Sequence, residues 1–139
     1  MAIQKVTRKY DYSDLDLDFI AHPTTKDVVK KKGFDAIKRS VRNLVLTNFY
    51  DRPFRPGIGS NAQKILFDNI NPFTATFLRD AIEEVIINFE PRVKLREDEN
   101  NGIVVNINPD NNGYDVTISF SIINTGAPVT FSLFLERLR

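Results

Sequence analysis

Few ionisable residues in this sequence stand where they could do chemistry, and Glu90 is the most informative of them. It falls in the last turn of a helical pattern, where a carboxylate faces the negative end of the helix dipole at a cost of about 0.3–1 kcal/mol unless something offsets it. An offsetting partner is therefore expected: Arg92, another basic residue of the chain, or donors on a neighbouring subunit. Pro91 and Arg92 have ordinary reasons for their places, because proline stops a helix and arginine near a helix C-terminus is favoured by the dipole.

Hydrolysis of a glycoside would need two carboxylates about 5–9.5 Å apart across a cleft, one of them with a raised pKa. Glu83 and Glu84 are adjacent on a polar helix face, the ordinary look of a solvated surface, and no motif marks an aspartate as partner to Glu90. His22 is the sole histidine and the chain has no cysteine, so neither a catalytic triad nor a histidine-based metal site is expected. No catalytic residue, metal ligand or cofactor is assigned. Lys30-Lys31-Lys32, with Lys26, Lys38, Arg39 and Arg42, is the basic concentration of the chain. Such a run is ordinarily a solvated face, and docking to acidic patches of a protein partner is the alternative. Without interleaved aromatics for base stacking, nucleic acid is not an expected partner.

These residues must be positioned by a chain of 139 residues with 42% hydrophobic content, long enough for one real core and too short to expect two. With 19 basic and 18 acidic residues the net charge is +1, so no global field draws in nucleic acid or an anionic membrane, and partners are recognised locally. No stretch approaches the roughly 20 apolar residues of a membrane span, and the N-terminus lacks the apolar run of a signal peptide.

Residues 1–26, with Asp14, Asp16 and Asp18 alternating around Leu15, Leu17 and Phe19, read as an extended arm with at most one short strand. Residues 27–139 read as a single domain. Phe34, Ile37, Val41, Leu44 and Val45 recur at steps of three and four, which predicts an amphipathic helix over about 35–47 with Lys38, Arg39 and Arg42 on its other face. The following NFYDRPFRPGIGS is too rich in proline and glycine for a helix. It reads as a rigid turn that packs Phe54 on the core, with Gly57 and Gly59 supplying positive φ. Ser60 reads as the N-cap of a short helix through KILFDN, and Asn71-Pro72 as the cap and first position of a longer one ending at Pro91. Phe73, Phe77, Leu78, Ala81, Ile82, Val85, Ile86 and Phe89 form its apolar stripe.

Beyond Pro91 the period becomes two. Val93 and Leu95, then Ile103, Val105 and Ile107, then Val116 to Ile122, then Val129 to Leu135 alternate with mostly polar residues. The connections EDENN, NPDNNG and NTGAP carry turn residues. Helices precede strands without interleaving, so the expected class is α+β: two to three helices on one face of a roughly four-stranded antiparallel sheet.

YSDLDLDF, DAIKRSVRNLVLT, DRPFRPGIGSNAQKILFDN and NFEPRV occur in an order that resembles the baseplate wedge and sheath-initiator family of contractile-tailed phages, whose relatives include a baseplate subunit of type VI secretion systems. The resemblance covers about residues 10–95, and MAIQKVTRKY has no counterpart in the family motifs. It implies a structural, non-catalytic subunit, present in several copies in a six-fold virion tail baseplate assembled in the host cytoplasm. The implied partners are the helical core bundle of larger wedge subunits and the tail sheath protein, whose first ring the subunit would template. A peptidoglycan-degrading, lysozyme-like tail enzyme is the alternative.

For particular residues, the resemblance favours Glu90, Pro91 and Arg92 as an inter-subunit contact. Glu90→Ala or Arg92→Ala is then expected to leave the domain folded and to block baseplate assembly. Arg52 is the polar residue expected where the proline-rich loop borders the core-bundle contact. Phe134 points to the face opposite Val129, Phe131, Leu133 and Leu135, and Glu136, Arg137 and Arg139 have the look of edge-protecting charges. With the family, this pattern suggests that sheath arms extend the sheet by strand addition at Phe134 and Arg137.

Overall fold

The computed structural model describes residues 12–16, 18–98 and 100–138, so Leu17, Glu99 of the EDENN turn, Arg139 and the first eleven residues of the arm lie outside the description. The chain divides between Ile37 and Lys38 into two compact units. In the first, β1 (Ser13–Leu15) pairs antiparallel with β2 (Lys30–Lys32), and a bridge joins Ala21 to Val28. The pairing sets Asp14 opposite Lys31, and Asp16, buried, takes the Lys31 ammonium at 3.3 Å. The second strand was not expected from sequence: a run of three lysines pairs here because acidic residues stand across from it. His22 Nδ1 accepts from the N–H groups of Thr24 and Thr25 at 3.3 and 3.4 Å, the work of a turn histidine.

Helix α1 (Phe34–Leu46) carries the chain into the second unit. Val41, Leu44 and Val45 are buried as the spacing requires, whereas Phe34 is exposed. Helix α2 (Ala62–Ile65) is a single turn, shorter than the sequence suggests, and its N-cap is Asn61 instead of Ser60. Ser60, one place earlier, serves both helices: its hydroxyl oxygen accepts from Ala62 N, the first N–H of α2, at 3.3 Å. Its N–H donates to Thr47 O at 2.8 Å and its hydroxyl to Val45 O at 2.7 Å, so it satisfies carbonyls that the end of α1 leaves open.

Helix α3 (Pro72–Phe89) starts as predicted, with the Asn71 side chain accepting from Thr74 N at 2.8 Å and proline at the first position. Its buried stripe is Thr74, Ala75, Leu78, Ile82, Val85 and Ile86. Phe73 and Phe77, read from sequence as part of that stripe, are exposed. The helix has apolar residues on more than one side, and its packing partners β4, α2 and β3 leave some of them uncovered.

The sheet consists of β3 (Val93–Leu95), β4 (Ile103–Asn108), β5 (Gly113–Ile122) and β6 (Pro128–Glu136), all pairs antiparallel, so the α+β expectation holds. β5 is the hub. β6 runs along one margin of it, while β4 and β3 share the other, β4 against Gly113–Ile118 and β3 against Phe120–Ile122. Inward side chains Tyr114, Val116, Ile118, Phe120 and Ile122 are buried. On β6, Phe131, Leu133 and Leu135 are buried too, with the Phe131 ring edge-on to Phe120 and the Lys38 ammonium 6.0 Å from its centroid.

Candidate assembly surface

The turn that joins α3 to β3 holds the first group of candidate residues. Glu90 N donates to Ile86 O at 3.0 Å, closing the helix, and Val93 N donates back to Glu90 O at 3.2 Å. Arg92 O accepts from Ile123 N at 3.1 Å, which fixes the turn to the far end of β5. The Glu90 side chain is only 2% exposed. Arg92 donates to it through both arms of its fork, Nε to Oε1 at 2.5 Å and Nη2 to Oε2 at 2.7 Å, and Ser40 Oγ donates to Oε2 at 2.6 Å.

Burial alone would push the Glu90 carboxyl upward. The Arg92 hydrogen bonds, the Ser40 hydroxyl and the nearby positive charge outweigh it and hold the group below its ordinary value of 4.5. The partner required by the helix dipole is thus Arg92, reinforced by Ser40 from α1. Sequence reasoning had no signal for Ser40, since it lies 50 residues away and sits beside the helix end only once α1 is packed. What remains outward is Pro91, exposed, and an Arg92 side chain 35% exposed. Glu83 is also engaged, accepting from Asn101 Nδ2 at 2.7 Å.

The proline-rich loop folds on its own backbone: Tyr50 N donates to Pro56 O at 2.9 Å and Arg55 N to Arg52 O at 3.1 Å. Phe54, expected on the core, is 99% exposed, and Arg52 is exposed beside it. Neither Gly57 nor Gly59 has positive φ; Tyr50 does, at 72°. Gly59 answers a different need, since a Cβ there would lie 2.4 Å from the Asn48 carbonyl carbon, where the chain pairs Asn48 with Ser60.

At the end of β6, Phe134 lies on the outer face as expected, exposed, with its ring over Gly113, where a Cβ would come within 2.6 Å of Phe134 Cζ. Arg137 is bound inside the chain: Nε donates to Asp68 O at 3.1 Å and Nη2 to Asn69 Oδ1 at 2.9 Å, while Leu138 N donates to Leu66 O at 3.0 Å. The structure therefore leaves three separate candidate patches: the Pro91-Arg92 turn, the Arg52 loop and the β6 edge.

The direction of the edge groups follows from one bond. Ser119 N donates to Gly102 O at 2.7 Å, and the register from Ile103↔Ile118 to Asn108↔Gly113 then makes every second pair hydrogen-bonded. Val104 and Asn106 turn their backbone groups to β5; Val105 and Ile107 turn theirs away. By the same alternation Thr130, Ser132 and Phe134 direct theirs away from β5 on the other margin. Among the described residues no further strand pairs with either edge.

The described residues thus define an α+β module: a small antiparallel sheet with a strand unpaired on its outer side at each edge, packed against α3. Residues 31–127 match the family model of baseplate wedge protein gp25, and the chain belongs to that family. It is 33% identical over 115 residues to baseplate wedge protein gp25 of Enterobacteria phage T4, a match spanning 81% of each chain. Two solved structures share the fold at lower identity. A Geobacter sulfurreducens protein described as a candidate tail lysozyme superposes with a TM-score of 0.67 at 19% identity, over 76% of this chain and 91% of that one. A chain of the six-fold symmetrised baseplate of the anti-feeding prophage superposes with a TM-score of 0.60 at 18% identity, over 93% and 88%. The protein's role is thus structural, as a component of a tail baseplate.

Proposed function

We propose that this chain is a non-enzymatic wedge subunit that binds the helical core bundle of its baseplate and templates the first ring of the tail sheath, in several copies around a six-fold virion tail baseplate assembled in the host cytoplasm. The observation that carries the sheath contact is the nine-residue strand β6, laddered on one side only, with Thr130, Ser132 and Phe134 offering backbone donors and acceptors outward. A sheath arm adding there would pass over the Phe134 ring. Arg137, through Asp68 and Asn69, holds the end of that strand in place, so it acts as a positioning residue.

The core-bundle contact is assigned to the Pro91-Arg92 turn and to Arg52. Glu90 supports it from beneath by fixing the Arg92 fork, and Arg92→Ala leaves that carboxylate buried with only the Ser40 hydroxyl and the backbone N–H of residue 92. Loss of assembly in this variant would therefore be mixed with loss of stability. Arg52→Ala is the cleaner substitution, because its side chain is exposed and the loop holds itself through backbone bonds. The lysozyme-like alternative asks for a carboxylic acid with a raised pKa, and Glu90 is held in the opposite direction.

The test is co-expression with the adjacent wedge and sheath proteins. Ser132→Pro removes an N–H that β5 does not use, so the variant is expected to keep the wild-type melting temperature, to co-purify with the wedge, and to lose sheath recruitment at least tenfold. Normal recruitment by a folded Ser132→Pro chain would remove the β6 assignment, and clearing of purified cell walls by the wild type would remove the non-enzymatic reading.

A further inference from the structure

The opposite margin of the sheet carries a second, differently built edge. Val105 and Ile107 direct their N–H and C=O groups away from β5, and their side chains point to the helix face, in line with fully buried Ile103. They do not reach its burial. Val105 is half-buried and Ile107 is 37% exposed, although the sequence pattern counts both as core. Beside them runs a groove of about 390 Å³, walled by Ala75, Thr76 and Arg79 of α3 and by the β4 segment through Ile107.

An edge strand with apolar side chains left half-covered, facing a helix across a groove, has the geometry of strand-addition peptide sites. The β6 edge is built differently: Phe131, Leu133 and Leu135 on its core face are already buried, and its outward backbone groups belong to the solvent-facing residues. Among the residues lining the β4 groove, Arg79 is the one that carries charge. Asp80 Oδ1 takes its Nε and Nη2 at 3.1 and 2.8 Å, leaving the Nη1 side of the fork for a second carboxylate.

We propose that the groove between β4 and α3 receives an extended segment of another tail protein, which pairs with β4 as a fifth strand. The segment has apolar side chains at alternate positions, packing on Ala75, Thr76, Val105 and Ile107, and a carboxylate at Arg79. Its backbone bonds to Val105 and Ile107, and its apolar side chains complete the burial that β4 lacks. This site does not depend on where the sheath or the core bundle attaches; it uses only the edge and the groove.

Amide hydrogen exchange of the wild-type chain, isolated and in purified baseplates, reads it directly. Val104 and Asn106 are already paired to β5, so added protection across residues 103–108 reports on Val105 and Ile107. At least tenfold slower exchange there in the baseplate is expected; equal rates would overturn the proposal, whatever happens at β6. Incorporation of three variants separates backbone pairing from simple covering. Ile107→Pro is expected to lose at least tenfold and Ile107→Ala less than threefold, with Arg79→Ala between them. Equal losses for the proline and alanine variants would mean that a side chain is buried without strand addition. The exchange measurement stands on its own if the proline variant fails to fold.

Discussion

The two margins of β5 are finished in different ways. Along one, β6 is sealed on its inner face, and its end is tied to the segment after α2 through Arg137 and Leu138. Along the other, two short strands share the space. The β3 end is closed by Glu90, Arg92 and Ser40, whereas the β4 end lies open to a groove. A margin whose inner face the chain buries itself contributes to its stability; a margin whose apolar side chains stay half-covered contributes less in the isolated chain.

The largest expected effect tests that division on apolar residues. Leu133→Ala, on the sealed margin, should cost about 3 kcal/mol in urea unfolding, the ordinary loss for a buried leucine with its cavity. Ile107→Ala, on the open margin, should cost no more than about 1 kcal/mol in the isolated chain, because much of its side chain is already in water. Similar losses at the two sites would erase the distinction.

A smaller effect sharpens the contrast within the shared margin. Glu90→Gln should cost about 1.5–3 kcal/mol at pH 7, the usual worth of hydrogen bonds to a buried charged group. The folded carboxyl titrates below its ordinary value, so its contribution is fully present above the unfolded value of 4.5 and fades as pH falls through the folded one. Wild type and Glu90→Gln should therefore converge in melting temperature below pH 4.5. A gap that persists unchanged into strong acid would mean that the ion pair is not what closes the turn.

The smallest effect lies where both margins meet. Tyr114 pairs with Ile107 on one side and Leu135 on the other, is fully buried, and has no hydrogen-bond partner for its hydroxyl among the described residues. Tyr114→Phe should leave thermal stability within about 0.5 kcal/mol of wild type or raise it, since it removes an unsatisfied polar atom. A loss beyond about 1 kcal/mol would show that the two margins share a polar contact.

Much of this architecture was legible in the sequence. The period-two alternation located all four strands of the larger sheet, and Asn71-Pro72 located the start of α3. Pattern could not reveal that β3 and β4 share one side of β5, because alternation fixes which face a side chain takes and not which strand lies beside it. Phe73 and Phe77 were misread because α3 is apolar on more sides than it buries, and Ser60 stands one place before the N-cap because its hydroxyl serves the helix behind it as well as the first N–H of α2. At the candidate site, the need for a partner to Glu90 was readable from the helix dipole, and Arg92 was among the possibilities. Ser40 and the Arg137 clamp were not, since each depends on elements brought together from far along the chain.

The hub position of β5 also has a mechanical side. β3, β4 and β6 each hang from β5 and not from one another, so within the sheet the two edges are connected only through that one ten-residue segment. In an antiparallel ladder pulled along its length, the bonds share the load together instead of parting one at a time. A load between the two edges of the sheet would thus fall first on the ladders of β5, with α3 bracing β4 and β3 beside that path.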